Sequence, residues 1–214
     1  MTHTFTIRPA IPSDADPVAR LIYLTMGIEA DWLFGRGRGN SSLEVLERLF
    51  LRQGNRVSYD QSNLIEQDGK VAGLIIAYPG EMLLRMNKMT AWQVLQIFGL
   101  TASLRLIARQ PAYGDLNETE SDEFYISNLA VFPEFQGLGI GKRLMTYAEE
   151  LARASGLQKC SLIVSFGHEK ARHMYEQLGY KTVHTYSIMH PEIAEGSGGY
   201  HRMVKILSMH PDIG

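Results

Sequence analysis

The chain has 214 residues, of which 45% are hydrophobic and 21% are charged, and its formal net charge is −2. This length and apolar content predict a single packed domain over residues 1–214. With a pI of about 6.4 the chain has no long-range field for collecting phosphates, so we expect no nucleic-acid partner. The lone cysteine, Cys160, excludes an intrachain disulfide and favours the cytoplasm.

The first fifty residues predict one strand and two helices. Phe5 and Ile7 alternate with polar residues, which indicates a strand. Apolar residues at helical spacing then predict a helix that continues to Ile28. Ser41 and Glu44 have the spacing of a capping box and predict the start of a second helix.

The next part of the chain predicts a hairpin followed by an insertion. Two strand-like runs, 63–66 and 71–78, flank the turn 67–69 and predict an antiparallel pair. The insertion covers about 81–121, with helices expected around 82–106. Its longest uncharged stretch is shorter than the roughly 20 apolar residues that span a bilayer, so we expect no membrane partner.

The apolar face of the insertion has two interpretations. Its residues are Met82, Leu83, Met86, Met89, Trp92, Leu95, Phe98 and Leu104. Such a stripe is usually core, but it is also suited to border an acceptor site or a second subunit of a homodimer. The glycine-rich run 35–40 is a candidate mobile lip over the acceptor site.

The second half of the chain predicts a sheet with a crossover connection. The predicted elements are a strand at 123–131, a glycine loop, a helix at 141–154, a strand at 159–164, a helix at 169–178 and a hairpin within 180–207. A strand–helix–strand unit requires a parallel pair. We therefore predict an α/β fold whose mixed, mostly antiparallel sheet has parallel fourth and fifth strands, flanking helices and a helical insertion between the third and fourth strands.

The loop between the fourth strand and its helix is Gln136-Gly137-Leu138-Gly139-Ile140-Gly141-Lys142. Glycines between a strand and a helix leave backbone amides free to bind an anion. A dinucleotide fingerprint is excluded because Lys142 stands where the third glycine belongs. A Walker A loop is excluded because Arg143 follows Gly141-Lys142 and Gln136 stands where the first glycine belongs.

The remaining pattern, Q-x-x-G-x-G opening a helix, resembles the GCN5-related N-acetyltransferase (GNAT) superfamily. The matching segments are Asn128-Leu129-Ala130-Val131, Pro133, Gln136, Gly139, Gly141, the strand Ser161–Val164, the A-x-x-x-Y-x-x-x-G-Y run from Ala171 to Tyr180, and the opening Ile7–Ala10 with Asp14 and Ala15. The resemblance covers the chain apart from the insertion. It implies a GNAT fold and an acetyl-CoA-dependent N-acetyltransferase.

The resemblance also implies the residues that bind acetyl-CoA. Leu129, Ala130 and Val131 would offer backbone groups to the pantetheine arm as an added strand does. The pyrophosphate would lie on Gln136, Gly137, Leu138, Gly139, Ile140, Gly141 and Lys142. His168 stands where the family frequently has Asn, three residues before Ala171, and both are expected near the pantetheine; for His168, a plain helix-start position is the alternative.

For the chemistry, the resemblance points to Tyr175 as the acid that protonates the departing thiolate. Glu123 is the candidate base for the amine, with a water chain as the alternative. Tyr125 and Ser127 alternate along the same strand and are suited to line the acceptor pocket. No cysteine lies in the motifs, so direct attack in a ternary complex is expected. No group of residues has metal-ligand spacing, and no metal is expected.

The acceptor is expected to be a primary amine of a small molecule or peptide, and its identity stays open because fold does not fix substrate. Two other functions remain possible at this point. One is a non-catalytic module that binds CoA or acyl-CoA as a sensor. The other is the transfer of a longer acyl group, which the apolar insertion would accommodate.

Overall fold

The computed structural model describes residues 4–34, 42–188 and 198–208. Seven strands form one sheet in the order β1-β2-β3-β4-β5-β7-β6. The strands are β1 (Phe5–Pro9), β2 (Ser62–Gln67), β3 (Lys70–Pro79), β4 (Phe124–Val131), β5 (Lys159–Ser165), β6 (Lys181–Ser187) and β7 (Gly199–Ile206). Among the strands of the described residues only β4 and β5 pair in parallel, so the predicted mixed, mostly antiparallel sheet is confirmed.

Six α-helices accompany the sheet within the same ranges. They are α1 (Ala15–Met26), α2 (Ile28–Phe34), α3 (Ser42–Phe50), α4 (Leu83–Arg109), α5 (Ile140–Ala154) and α6 (Glu169–Gln177). The helix α5 provides the crossover between β4 and β5, as the strand–helix–strand pattern predicts. Ser41 of the predicted capping box and the run 35–40 lie outside the described residues.

The hairpin of β2 and β3 has the turn that its sequence predicts. Asp68 and Gly69 both have positive φ, 51° and 78°. A two-residue turn with this backbone matches the right-handed twist of the two strands. The chemistry of these two residues therefore sets the register in which Gln67 lies opposite Lys70.

The predicted first helix is interrupted at Gly27. This glycine has φ 52° and ψ −126°, outside the helical region, and α2 begins at the next residue. Ile28 is 56% exposed and does not continue the buried stripe of α1. The expectation of one continuous helix through Ile28 was wrong, because glycine adopts non-helical backbone angles at little cost in free energy.

The two faces of the sheet carry different cores. On one face, which we call the α5 face, Ile126, Leu162 and Val164 pack with Leu144 and Ala148 of α5. On the other, the α1 face, Leu74, Tyr78 and Tyr125 pack with Leu21 and Ile22 of α1. Side chains alternate between these faces along each strand.

The insertion is the helix α4, which breaks at Gly99 (φ 78°, ψ −175°). Met86 and Val94 are buried, whereas Trp92 and Leu104 are more than half exposed, so the apolar face is only partly core. By length and composition alone, the helical stretch Gly80–Tyr113 would suffice to cross a membrane.

Candidate active site

A gap opens between the two parallel strands. They pair at only three positions, from Phe124 with Cys160 to Ile126 with Leu162. Beyond these positions β4 continues to Val131 and β5 continues to Ser165. The facing backbone edges of both strands are thereby left for a bound molecule.

A β-bulge lies where the strands begin to separate. Ile76 of β3 is opposite Asn128 of β4, whereas Ala77 is opposite Ile126, so Ser127 is the extra residue. A bulge bends its strand and increases the local twist. Ser127 directly follows Ile126, the last residue of β4 that pairs with β5.

The glycine loop lies at the open end of the gap. Gly137 and Gly139 have φ of +81° and +76°, a left-handed conformation that favours glycine. Arg143 is the first residue after Gln136 whose amide donates to the main chain, to the Gly139 carbonyl at 3.1 Å. The six amides from Gly137 to Lys142 have no acceptor among the described residues, and residues 136–139 are exposed.

The surroundings of this loop suit an anion. The first turn of α5 contains no acidic residue, and the positive end of the helix dipole faces the loop. The Gln136 side chain donates to the Val131 carbonyl at 3.2 Å and holds the loop against the end of β4. Lys142 is exposed, whereas the Arg143 guanidinium stacks on the Phe5 ring at 4.8 Å.

Helix α6 packs closely against the start of α5. A Cβ built on Gly141 would lie 3.2 Å from the Met174 sulfur, so a glycine at this position permits the approach. The next residue, Tyr175, is 7% exposed and packs in the core of the α5 face. Burial raises the pKa of Tyr175, and the phenol is therefore protonated at neutral pH.

Two further predicted cofactor residues follow the end of β5. The His168 amide donates to the Ser165 carbonyl at 3.0 Å, and His168 is the N-cap residue that precedes α6. Its side chain is exposed and makes no capping hydrogen bond. Ala171 is half-buried against the core of the α5 face. Both residues lie at the end of the sheet where the gap opens.

Glu123 lies at the opposite, closed end of β4. Its carboxylate accepts hydrogen bonds from Arg202 at 2.5 Å, from the Glu120 amide at 2.9 Å and from Thr119 at 3.1 Å. Burial alone would raise the pKa of Glu123, but its hydrogen bonds and Arg202 lower this pKa below its usual range. The Glu123 side chain is thus buried and ion-paired with Arg202, and its role as general base stays a prediction.

Comparison with known proteins decides between the interpretations of this architecture. Residues 30–180, more than half of the chain, match the sequence profile of the Acetyltransferase (GNAT) family. The chain belongs to this family. It is accordingly an N-acetyltransferase.

Solved structures agree with this assignment. A protein described as an acetyltransferase is 26% identical with a TM-score of 0.70, and the match covers 95% of this chain and 100% of that one. The N-acetyltransferase from Staphylococcus aureus Mu50 is 25% identical with a TM-score of 0.70, covering 94% and 100%. The ribosomal-protein-S18-alanine N-acetyltransferase from Escherichia coli, 18% identical with a TM-score of 0.55 and 99% coverage of both chains, shares the fold.

The residues of this acetyltransferase fit the cosubstrate that its family generally uses, acetyl-CoA. The six amides from Gly137 to Lys142 lie on an exposed loop whose glycines at 137 and 139 have left-handed backbone angles, which other residues adopt only with strain. A diphosphate presents several acceptor oxygens to such a loop. The open edge of β4 offers backbone groups of Leu129 and Val131, of the kind that a pantetheine arm can bind. The backbone groups of the intervening Ala130 point to the other edge, where Ala130 pairs with Leu74 of β3.

The acetyltransferase also has a cluster of polar side chains on the α1 face. Tyr125 donates to Glu118 at 2.5 Å, and Glu118 forms an ion pair with Arg56. Burial would raise the pKa of Glu118, but Arg56 outweighs it and lowers that pKa. Tyr78 packs edge-on against Tyr125, with ring centroids 5.8 Å apart. Of these residues only Tyr125 was predicted, because the others come from segments without a motif.

Proposed function

We propose that this acetyltransferase transfers the acetyl group of acetyl-CoA to a primary amine by direct attack within a ternary complex. The observation that carries the proposal is the stretch of six amides, Gly137 to Lys142, that has no acceptor at the end of an open strand pair. Acetyl-CoA supplies the activated acyl group. The protein positions acetyl-CoA and the amine and assists the loss of the amine proton and the departure of the thiolate.

The absence of a reactive cysteine near the gap supports direct attack. Cys160 is fully buried in the closed part of the β4–β5 pair. Burial raises the pKa of the Cys160 thiol to about 12, so the thiolate is scarce at neutral pH. An acetyl-cysteine step is therefore not part of the proposal.

In the reaction the neutral amine nitrogen forms a bond to the acetyl carbon, and the carbon–sulfur bond breaks. The Tyr175 hydroxyl would donate a hydrogen bond to the departing sulfur, which leaves as a thiolate. Because burial raises the pKa of Tyr175, the phenol is a weaker acid than in water, and hydrogen-bond donation is its main contribution. The proton of the amine would leave through water, since Glu123 is occupied at the closed end.

Replacement of Tyr175 by Phe tests this proposal. We expect Tyr175→Phe to lower kcat by about 10²-fold while the affinity for CoA is unchanged, because only the hydroxyl is lost. Release of free CoA with a panel of amines measures the rate, and calorimetry measures the binding. Tyr180→Phe is the matched control, since Tyr180 is the buried neighbouring ring, with centroids 6.2 Å apart.

The outcomes separate the possible functions. Equal rates for Tyr175→Phe and the wild type would remove Tyr175 from the chemistry. CoA binding without turnover of any amine by the wild type would favour a sensor. Faster turnover with a longer acyl-CoA than with acetyl-CoA would instead favour transfer of a longer acyl group.

A further inference from the structure

Glu29 on α2 lies in an aromatic enclosure that the proposed chemistry does not use. Its two carboxylate oxygens accept hydrogen bonds from Tyr113 at 2.5 Å and from Tyr200 at 2.7 Å. Trp32, 7% exposed, packs with Tyr200 and meets the Tyr113 ring edge-on, with centroids 6.1 Å apart. Three segments that are distant in sequence thus converge on one carboxylate.

The negative charge of Glu29 has no cationic partner within the described ranges. Its contacts are the two phenols, in contrast to Glu118 and Glu123, which each pair with an arginine. The nearby Arg109 stacks on the Trp32 ring, 5.0 Å from its centroid, and forms no ion pair with Glu29. Each carboxylate oxygen keeps a second lone pair, so Glu29 can accept from a further donor.

The two phenols are fixed as donors. Burial and the neighbouring Glu29 charge raise the pKa of Tyr113, so its hydroxyl is protonated. The two donated hydrogen bonds orient the Glu29 carboxylate. The arrangement is therefore an oriented anion, which is a receptor for a cation.

Register places this anion beside the gap. Tyr200 of β7 is opposite Ser165, the last residue of β5. Ser165 lies three residues, about 10 Å, beyond Leu162, where the pairing with β4 ends. Ile163 packs with Tyr200 and alternates with Leu162 and Val164 of the α5 face, so the enclosure is on the α1 face.

The polar surface continues across the gap to β4. On the same α1 face, Tyr125 of β4 donates to Glu118, which pairs with Arg56. The Tyr78 hydroxyl is buried beside Arg56 and Ser127 and adds a further polar group to this surface.

We propose that Glu29 binds a cationic group of the acceptor, and that the acceptor carries a second positive charge beside the amine that is acetylated. This inference rests on the proposed function. The nitrogen that attacks must be neutral, so the cation at Glu29 is a different group. The substrate class is a short diamine or an amine with a guanidinium group.

A matched pair of substrates tests the inference. Butane-1,4-diamine and 1-aminopentane have the same length, but only the diamine carries a second ammonium. We expect a kcat/KM that is about 10- to 100-fold higher for the diamine, as for one charge-assisted hydrogen bond. In Glu29→Gln the ratio should fall to about 1, with the rate for 1-aminopentane and the KM for acetyl-CoA unchanged.

Two control variants separate binding from folding. Tyr200→Phe removes one hydrogen bond to Glu29 but keeps its charge, and it should keep most of the preference for the diamine. Glu47→Gln removes a partly exposed carboxylate from α3 and should leave both rates unchanged. If Glu29→Gln does not fold, the preference of the wild type and of Tyr200→Phe still tests the inference.

The failure of this inference differs from the failure of the proposed function. Equal rates with both amines, or a preference that survives Glu29→Gln, would overturn the role of Glu29 while acetyl transfer stands. No turnover of any amine, with a diamine-dependent rise in Tm that Glu29→Gln abolishes, would overturn acetyl transfer but keep the cation site. No turnover and no such rise would overturn both.

Discussion

At the scale of single residues, carboxylates of this acetyltransferase pair with guanidinium groups and so connect neighbouring elements. Asp14, before α1, receives both terminal nitrogens of the Arg8 guanidinium at 2.8 and 2.9 Å. Arg8 also donates to Glu66 of β2 at 2.7 Å. The three residues fasten β1, β2 and the start of α1 to one another. Such contacts hold elements together, whereas Glu29 has no arginine partner among the residues that the structure describes.

The Arg8–Asp14 pair predicts a pH-dependent stability. The hydrogen bond from Arg8 holds the pKa of Asp14 below its usual range despite partial burial. A carboxyl group whose pKa is lower in the folded state stabilises that state at pH values above its unfolded pKa of about 3.9. This stabilisation is lost as the pH falls through the folded pKa. Asp14→Asn should therefore lower the free energy of unfolding by about 1–3 kcal/mol at pH 7. The difference from the wild type should shrink below about pH 4.

Urea unfolding at pH 7, 5 and 3.5 measures this difference. Asp16→Asn is the control, because Asp16 and its partner Arg20 are both 62% exposed and such pairs contribute little. A difference between Asp14→Asn and the wild type that stays constant across this range would show that the ionised carboxylate is not the stabilising species.

At the scale of elements, the sequence predicts what local periodicity and turn chemistry control. The β2–β3 hairpin, α5 and the glycine loop follow from such signals, and the structure confirms these elements. Gly27 was missed because Ile28 keeps the helical spacing of α1. The bulge at Ser127 depends on pairing with β3, and the Glu29 enclosure joins residues separated by 84 and 171 positions, so neither has a local signal.

The two ends of α5 offer a matched test of the glycine loop. Gly139 and Gly156 have nearly equal φ, +76° and +75°, and a Cβ on either would meet no atom within 4 Å. Alanine at each position should destabilise the protein by a similar amount, about 1 kcal/mol, from backbone strain alone. Only Gly139→Ala should weaken CoA binding, by about tenfold, because relief of the strain rotates amides of the loop.

Calorimetry with CoA and thermal unfolding of both variants measure these effects. A similar loss of affinity in Gly156→Ala would mean that α5 stability, rather than the direction of the loop amides, controls binding. Full affinity in Gly139→Ala would remove the loop from the proposed pyrophosphate site.

At the scale of the whole molecule, the sheet consists of two parts joined by a short seam. Strands β1 to β4 form one part, and β5, β7 and β6 form the other. Only three residue pairs connect β4 with β5, because the strands must separate to leave the gap. Additional contacts reinforce the closed end, where Glu123 meets Arg202 of β7 and Thr119 meets Ser161 at 2.8 Å.

This architecture predicts that Glu123 stabilises the seam rather than acting in catalysis. In Glu123→Gln the Arg202 side chain, 9% exposed, would lose its anionic partner. Breaking a buried pair in this way costs about 3–5 kcal/mol, which for a chain of this size lowers Tm by roughly 6–20 °C. The pKa of Glu123 is lowered in the folded protein, so this stability should be present at neutral pH and decline as pH falls.

Activity measured well below the lowered Tm distinguishes the two roles of Glu123. A structural residue leaves kcat and the shape of its pH profile unchanged in Glu123→Gln, whereas a general base would lower kcat and remove the acidic limb of the profile. Asp122→Asn is the control for the seam, because the neighbouring Asp122–Lys159 pair is largely exposed and should contribute little. An unchanged Tm with a much reduced kcat in Glu123→Gln would contradict the seam and restore Glu123 as the base, since loss of the buried ion pair would then have had no structural consequence.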